Sequence, residues 1–186
     1  MRRLILFNML TVDGYLEGRN EDISWHQVDG EVKDFIIEQM KNADTILFGR
    51  KTYEMMEKFW PSEKAIALDP VTAGMMKAHL KIVFSATLKE IQWDNTRQIK
   101  TDAVTEVENL KKQPGKDILI FGSATLCKEL MKHGVIDEFR LMINPVTLGN
   151  GNRLFKHKKT YLRLLKAKVF GNGNMLLCYR PEKRMS

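Results

Sequence analysis

The chain has 186 residues, of which 44% are hydrophobic and 28% are charged, and its formal net charge is +7 at pH 7. This length and composition predict a single globular domain with a hydrophobic core. No apolar run approaches the roughly 20 residues that a membrane span needs, which argues against a membrane protein. The N-terminus enters a strand directly and lacks a signal-peptide cleavage pattern, so we expect a cytoplasmic protein.

The positive charge raises the question of nucleic-acid binding. The lysines are spread along predicted helices and tails, and neither a recognisable module nor interleaved exposed aromatics accompany them. We therefore expect no nucleic-acid partner, and we interpret the excess charge as a solvated surface that attracts an anionic cofactor or substrate. The two cysteines, Cys127 and Cys178, have no metal-ligand spacing and are predicted to be buried free thiols, so no metal site is expected.

Strands and helices alternate along most of the chain, and the last elements are strands only. Residues 3–12 predict a strand buried on both faces, and residues 13–28 predict an irregular loop of the kind that often covers a binding site. This order predicts an α/β fold with a mostly parallel sheet and a C-terminal antiparallel hairpin. The other predicted elements are a helix beginning at Asp29, a strand at 45–48, a helix at 51–58, an irregular stretch at 59–69, a helix at 71–79, a strand at 81–84, a short strand at 98–101, a helix at 104–112, a strand at 118–121, a helix to about 133, a strand at 136–143, and a hairpin of 161–170 with 175–179.

Two strand-to-helix turns follow the same pattern, one at Gly49 and one at Gly122. A glycine can adopt backbone angles that a side chain forbids, so the chain can turn sharply at Gly49. The free N–H groups and the dipole of the helix that follows favour an anion, and the adjacent Arg50 has a planar guanidinium suited to phosphate. Either turn alone is typical of a plain connection. Together they predict a ligand with two or more phosphates, for which a dinucleotide is the usual example.

Five motifs occur in order over nearly the whole chain: TVDGY at 11–15, FGRKTYE at 48–54, IVFS at 82–85, IFGSATL at 120–126, and DEFRL at 137–141 running to PVTLGNG at 145–151. With them the chain resembles the dihydrofolate-reductase-like fold, and within it the group related to the C-terminal reductase domain of bacterial riboflavin biosynthesis. The resemblance implies one domain over residues 1–186, with three layers built around a mainly parallel sheet of about eight strands.

The resemblance also implies that NADPH is the cofactor. The two glycine turns would hold its pyrophosphate, and Arg50 with Ser85 and Thr87 would meet the adenosine 2′-phosphate, because a guanidinium and hydroxyls suit a dianion. The loop at 13–25 would lie beside the nicotinamide, with Ile23 and Trp25 near the ring and the substrate. The implied cofactor-binding residues are Gly49, Arg50, Lys51, Thr52, Ser85, Ala86, Thr87, Gly122, Ser123, Ala124, Thr125 and Leu126.

Hydride transfer often needs a proton donor, and three acidic residues are candidates. Asp29 lies near the place where the resemblance expects the carboxylate that binds the pterin, although it also suits a helix N-cap. Asp34 is its rival in substrate binding, with a solvated helix carboxylate as the alternative. Asp13 is a second catalytic candidate, and it also suits a residue that fixes its own loop.

The sequence therefore predicts an NADPH-dependent reductase that transfers hydride to a small heterocyclic substrate, similar to 5-amino-6-(5-phosphoribosylamino)uracil reductase or to dihydrofolate reductase. The zinc signature of the associated deaminase, His-x-Glu with Pro-Cys-x-x-Cys, does not occur in the sequence, so a stand-alone reductase is expected. A non-catalytic NADPH- or nucleotide-binding module of the same fold is the alternative. The apolar late strands and the resemblance favour a homodimer.

Overall fold

The computed structural model describes residues 1–155 and 159–182. The strands are β1 (Leu4–Thr11), β2 (Tyr15–Glu17), β3 (Ala43–Gly49), β4 (Leu80–Phe84), β5 (Thr96–Ile99), β6 (Asp117–Phe121), β7 (Glu138–Asn144), β8 (Asn152–Arg153), β9 (Tyr161–Val169) and β10 (Met175–Glu182). The helices are α1 (Gly30–Lys41), α2 (Arg50–Phe59), α3 (Glu63–Leu68), α4 (Pro70–Ala78), α5 (Ala103–Lys112) and α6 (Ala124–Lys132), with a 3₁₀ turn at Arg19–Glu21.

Eight strands form one sheet in the order β5-β4-β3-β6-β1-β7-β10-β9, and β2 pairs with β8 in a separate small sheet. Neighbouring strands from β5 to β7 run parallel. β10 is antiparallel to both β7 and β9. The predicted α/β fold, with a mostly parallel sheet and a C-terminal antiparallel hairpin, is confirmed. The central strands are continuous apolar runs because helices cover both of their faces.

Alternate residues of β1 show how the three layers are built, since successive side chains of a strand point to opposite faces. Leu4 and Leu6 pack in one cluster with apolar residues of α5 and α6. Ile5 packs on the other face with residues of α1, α2 and α4, and Phe7 packs beside it against α1. The two cysteines are buried and unpaired, as predicted.

Several predicted elements differ from the structure. The loop expected to be irregular at 13–28 contains β2 and the 3₁₀ turn, and the strand expected at 136–143 begins two residues later, as β7. Residues 59–69 were expected to be irregular, and this expectation is wrong because α3 lies within them. The Ser62 side chain accepts a hydrogen bond from the Ala65 N–H at 3.2 Å, and Ala65 is fully buried. Serine followed by a glutamate and small apolar residues is a helix-start signal that the sequence interpretation overlooked. The short strand expected at 98–101 lies two residues earlier, as β5.

The C-terminal hairpin of β10 and β9 carries apolar side chains that are open to solvent on one face. Met175, Leu177 and Tyr179 alternate along β10, and their partners on β9 are Val169, Ala167 and Leu164. Cross-strand partners share a face, so these side chains form one surface. Leu164 is 52% exposed and Val169 is 70% exposed. No helix within the described residues is long and apolar enough to cross a membrane.

Candidate cofactor and substrate site

The two glycine turns lie next to each other because they follow neighbouring parallel strands. β3 and β6 are paired, with Leu47 opposite Ile120, and β4 lies on the other side of β3, with Phe84 opposite Gly49. The carboxyl ends of parallel strands meet at one edge of the sheet, and ligands of open α/β sheets bind at that edge. The segments after β3, β4 and β6 therefore surround a common space.

The contacts between the turns are very close. A Cβ atom placed on Gly49 would lie 1.9 Å from Ser123 Oγ, and one placed on Gly122 would lie 3.1 Å from Thr52 Cγ2. Ser123 of the second turn thus lies against Gly49, and Thr52 after the first turn lies against Gly122, so a side chain on either glycine would contact the other turn. A single ligand at this edge of the sheet can reach both helix N-termini.

Gly49 and Gly122 are required for different reasons. Gly49 has φ −82° and ψ 164°, which any residue can adopt, so the expectation that it needs angles forbidden to a side chain is wrong. Glycine is required at position 49 because Ser123 leaves no space for a side chain there. Gly122 has φ +65°, in the left-handed region, and Ser123 follows at φ +55°. A non-glycine residue held in that region costs about 1–3 kcal/mol, and such strain is concentrated at functional sites.

Buried polar groups hold the second turn in this conformation. The Gly122 N–H donates to Asn8 Oδ1 at 2.8 Å, and Cys127 Sγ donates to the Gly122 carbonyl at 3.0 Å. Asn8 is almost fully buried on β1. Burial raises the pKa of Cys127 to about 12, so the thiol stays protonated and can donate. The turn is therefore fixed from the core side, and its other side faces the cleft.

The helices that begin at these turns lack the caps that the other helices have. Side chains of Asp29, Ser62, Asp69 and Asp102 accept hydrogen bonds from the first turns of α1, α3, α4 and α5. α2 and α6 have no side-chain cap hydrogen bond and no acidic residue in the first turn. Their first N–H groups remain available, and the positive ends of their dipoles converge. This arrangement is suited to an anion such as pyrophosphate.

A cleft of about 560 Å³ lies over the two turns. Every predicted cofactor-binding residue except Gly122 lines it, and Gly122 lines the pocket next to it. Arg50 is half-buried, with Nη1 3.1 Å from both carboxylate oxygens of Glu54, and Lys51 pairs with Glu21. Ser85 Oγ accepts from the N–H groups of Thr87 and Leu88 and also lies 3.4 Å from Thr87 Oγ1, so the two hydroxyl groups lie together beside the cleft.

A second pocket, of about 220 Å³, adjoins the cleft and is mainly apolar. It lies between the sheet and helices α1, α2 and α4, under the loop that follows β1. The two openings meet along a shared wall. The residues common to both are Glu17, Ile23, Thr52, Met55, Ser123 and Ala124.

Of the predicted substrate-binding residues, Ile23 lines both openings, whereas Trp25 and Asp34 line neither. The Trp25 Nε1–H donates to the Asp22 carbonyl at 3.1 Å, and the indole ring packs edge-on against His26 with centroids 4.4 Å apart. The contacts of Trp25 are thus within its own loop. Asp34 is exposed on α1.

The two predicted catalytic carboxylates also lie outside both openings. Asp29 caps α1, with Oδ1 3.0 Å from the Val32 nitrogen. Asp13 accepts from Thr11 Oγ1 at 2.6 Å and from the Gly149 N–H at 2.8 Å, and these hydrogen bonds, that of Thr11 first, hold its pKa below the usual value. Through these hydrogen bonds, Asp13 joins its own loop to residues 148–149.

Three lining residues were not singled out by the sequence interpretation. Glu17, on β2, is the carboxylate that both openings share, and its Oε1 accepts from Asn152 Nδ2 at 2.6 Å. Asn8 and His26 line the second pocket. The sequence carries only a weak signal for them, because Asn8 is a polar residue inside an otherwise apolar strand. The pairing of β2 with β8, which positions Glu17, joins segments 135 residues apart.

The sheet order and the two adjacent glycine turns define an α/β domain of the dihydrofolate-reductase-like class. A family model described as the RibD C-terminal domain matches residues 2–176. The uncharacterized protein YyaP of Bacillus subtilis (strain 168) is 34% identical over 182 residues, which cover 96% of this chain and 94% of YyaP. The chain belongs to the RibD C-terminal domain family, and the resemblance expected from the sequence motifs is confirmed.

Solved structures share this fold at lower sequence identity. A protein from Shewanella sp. PV-4, provisionally assigned to riboflavin biosynthesis, has a TM-score of 0.77 at 20% identity over 97% of this chain and 99% of that chain. The diaminohydroxyphosphoribosylaminopyrimidine deaminase/5-amino-6-(5-phosphoribosylamino)uracil reductase of Thermotoga maritima has a TM-score of 0.67 at 16% identity, over 97% of this chain and 56% of that chain. The present chain thus matches a part of the bifunctional protein.

Proposed function

We propose that the protein is an NADPH-dependent reductase that transfers hydride to a small heterocyclic compound. Membership of the RibD C-terminal domain family supports a reductase-type role. The observation that carries the proposal is the convergence of two uncapped helix N-termini, those of α2 and α6, on one cleft. Two anion sites side by side suit the pyrophosphate of a dinucleotide.

The residues of the cleft fit NADPH. The N–H groups that follow Gly49 and Ser123 would bind the pyrophosphate, since the close contact between the two turns brings both sets of N–H groups to one cleft. Arg50 and Ser85, at the ends of neighbouring strands, would bind the 2′-phosphate, with Arg50 exchanging its bond to Glu54 for the ligand. When bound, NADPH supplies a hydride.

The wall shared by the two openings is where substrate and cofactor would meet. Thr52, Ser123 and Ala124 form its floor, and Ile23 contributes an apolar side chain from the loop above. Glu17 is the carboxylate at this junction, and we assign to it the role of holding or relaying a proton. The apolar second pocket would exclude water from the substrate.

A titration of the purified protein with NADPH, followed by cofactor fluorescence, tests the proposal. A dedicated site should bind NADPH with a dissociation constant well below about 100 μM, which corresponds to about −5.5 kcal/mol. Absence of binding at that concentration would overturn the cofactor assignment. Consumption of NADPH at 340 nm with a panel of pterins, flavin precursors and quinones then tests the reductase activity.

A non-catalytic NADPH-binding module is the second candidate. The observation that favours it is the engagement of Asp13 and Asp29 in loop and helix-cap hydrogen bonds, away from both openings. Such a module would bind NADPH in the titration but would not oxidise it with any member of the panel.

We also propose that a second copy of the chain covers the exposed apolar face of β10 and β9. Leu164, Val169 and Met175 on that face are at least 41% exposed, and a flat apolar sheet surface of this kind is typical of an interface. An isologous dimer would place the two faces against each other. A cytoplasmic location, and the absence of nucleic-acid and membrane partners, remain predictions from the sequence.

A further inference from the structure

The second pocket has a composition unlike that of a site for a phosphorylated sugar. Its wall contains the aromatic side chains Phe7, Trp60 and Phe121. Five methionines also line the pocket, and their thioether side chains are flexible, polarisable groups that pack well against the faces and edges of flat rings. The methionines that line the pocket are Met9, Met40, Met55, Met56 and Met76.

No lysine or arginine occurs among the described residues that line this pocket. Its single charged lining residue is Glu17, at the junction with the cofactor cleft. A phosphate group in the pocket would therefore lack a cation and would lie near a carboxylate, and an unpaired dianion in an apolar environment is strongly disfavoured. The cationic lining residues Arg50, Lys51 and Lys128 belong to the adjoining cofactor cleft.

His26 supplies an unused polar atom at the wall. Its Nε2 is buried and has no hydrogen-bond partner among the described residues, whereas the ring also makes a hydrogen bond to the Leu16 backbone. In the neutral tautomer that carries its proton on Nδ1, Nε2 is left as an acceptor. Burial lowers the pKa of His26 to about 4, so the ring is neutral at physiological pH and Nε2 is an acceptor. A buried acceptor without a partner is costly, and a donor on the ligand would satisfy it.

We infer that this pocket binds an uncharged, planar aromatic compound without a phosphate group, which donates an N–H to His26 Nε2. The inference deepens the proposed function, because it names the class of substrate for the same site. It separates this chain from the Thermotoga maritima neighbour, whose name specifies a phosphoribosylamino substrate.

The test is a binding measurement without cofactor, followed through tryptophan fluorescence and calorimetry. Three probes are compared: quinazoline, 2-aminoquinazoline and 5-amino-6-(5-phosphoribosylamino)uracil. We expect 2-aminoquinazoline to bind at least tenfold more tightly than the phosphorylated compound. We expect it to bind about three- to tenfold more tightly than quinazoline, the gain from one hydrogen bond. His26→Phe should abolish the preference for the amino compound, and His133→Phe, on the exposed end of α6, should retain it.

Met55→Lys provides a second variant that leaves His26 intact. Met55 lies partly exposed on the wall shared by the two openings, so a lysine there should be tolerated and should bring a cation to the pocket. We expect this variant to bind the phosphorylated compound at least fivefold more tightly than the wild type does, while its affinity for quinazoline falls.

Two results would overturn the inference: equal or tighter binding of the phosphorylated compound by the wild type, or failure of both quinazolines to bind. Retention of the amino preference by a folded His26→Phe variant would overturn the role of His26. NADPH titration separates these failures from a failure of the proposed function. If the protein binds NADPH but neither quinazoline, the cofactor assignment stands and the pocket inference is wrong. If it binds 2-aminoquinazoline but not NADPH, the pocket inference stands and the cofactor assignment is wrong.

Discussion

The hydroxyl group of Ser123 occupies the space that a side chain on Gly49 would need. A Cβ at Gly49 would lie 1.9 Å from Ser123 Oγ and 2.8 Å from Ser123 Cβ. Ser123 cannot move away easily, because its left-handed backbone is fixed between Gly122 and the first turn of α6. The conformations of the two turns are thus coupled, and a substitution in one turn should alter the conformation of the other.

Gly49→Ala should disrupt both turns at once. We expect overpacking to lower the free energy of unfolding by about 1–3 kcal/mol and to weaken NADPH binding at least tenfold. Gly74→Ala is the matched control, since Gly74 lies in α4 with open space around its Cβ position. That variant should be stabilised by up to about 1 kcal/mol, because alanine is the better helix former. Chemical denaturation and NADPH titration check both expectations. Unchanged NADPH affinity in Gly49→Ala would contradict the shared site.

Arg50→Ala should reveal the preference for the phosphorylated cofactor. Loss of charge-assisted hydrogen bonds to the 2′-phosphate should weaken NADPH binding by about ten- to a hundredfold, while NADH binding changes by less than about threefold. Glu54→Gln is the matched control. It removes the negative charge that holds the Arg50 guanidinium at 3.1 Å, so NADPH affinity should be retained or increased. Parallel losses for NADPH and NADH in Arg50→Ala would exclude the 2′-phosphate role.

Glu17→Gln tests which carboxylate acts at the junction. If Glu17 holds or relays the proton, the turnover rate should fall about a hundredfold, while the dissociation constant of NADPH stays within about threefold of the wild-type value. Asp29→Asn is the comparison, because asparagine caps a helix about as well as aspartate and should preserve both α1 and turnover. Stopped-flow and steady-state measurements with an active substrate distinguish the two. A loss of turnover in Asp29→Asn alone would instead support the catalytic role predicted for Asp29.

Local patterns in the sequence predicted most of the fold, because each depends on residues close together in the chain. The apolar runs of β1, β3 and β6 predicted the class of sheet. The glycines at the ends of two of these runs predicted the turns. The helix α3 was overlooked although Ser62 provides a cap. The predicted cofactor cleft consists of segments that directly follow strands, where topology brings them together.

The substrate side of the site was harder to predict. Its wall combines Asn8, Glu17 and His26 with methionines from three helices, and no spacing in the sequence links these residues. The position of Glu17 depends on the pairing of β2 with a two-residue strand at Asn152–Arg153. The acidic residues that the sequence favoured are explained by local hydrogen bonds instead, since Asp13 and Asp29 both accept from nearby N–H or O–H groups.

Leu164→Lys should separate the proposed dimer into monomers. A charged side chain on the exposed apolar face of β10 and β9 cannot be buried against an apolar partner without a large desolvation cost. Leu68→Lys is the matched control, because Leu68 is 70% exposed at the end of α3 and lies outside that face. Analytical ultracentrifugation over a range of concentrations should give a monomer for the first variant and the wild-type mass for the second. A wild type that is monomeric at all concentrations would contradict the dimer.

His26 should make the stability of the protein depend on pH between about 6.5 and 4. Burial lowers the pKa of His26 to about 4 in the folded protein, from an ordinary value of 6.5, even though Asp22 nearby acts in the opposite direction. As the pH falls through this range, the unfolded chain gains a proton at His26 that the folded chain does not. The free energy of unfolding should therefore decrease, by at most about 3 kcal/mol, and His26 should add no further change below pH 4.

His26→Phe should remove this contribution, because phenylalanine does not titrate. Urea denaturation at pH 7, 5.5 and 4.5 should show a smaller loss of stability for the variant than for the wild type. The carboxylates titrate in both proteins, so their effects cancel in the difference. His133→Phe serves as the comparison for the same substitution at an exposed histidine. Equal slopes for wild type and His26→Phe would mean that His26 is accessible to protons in the folded protein, and that it is not the neutral acceptor that the substrate pocket requires.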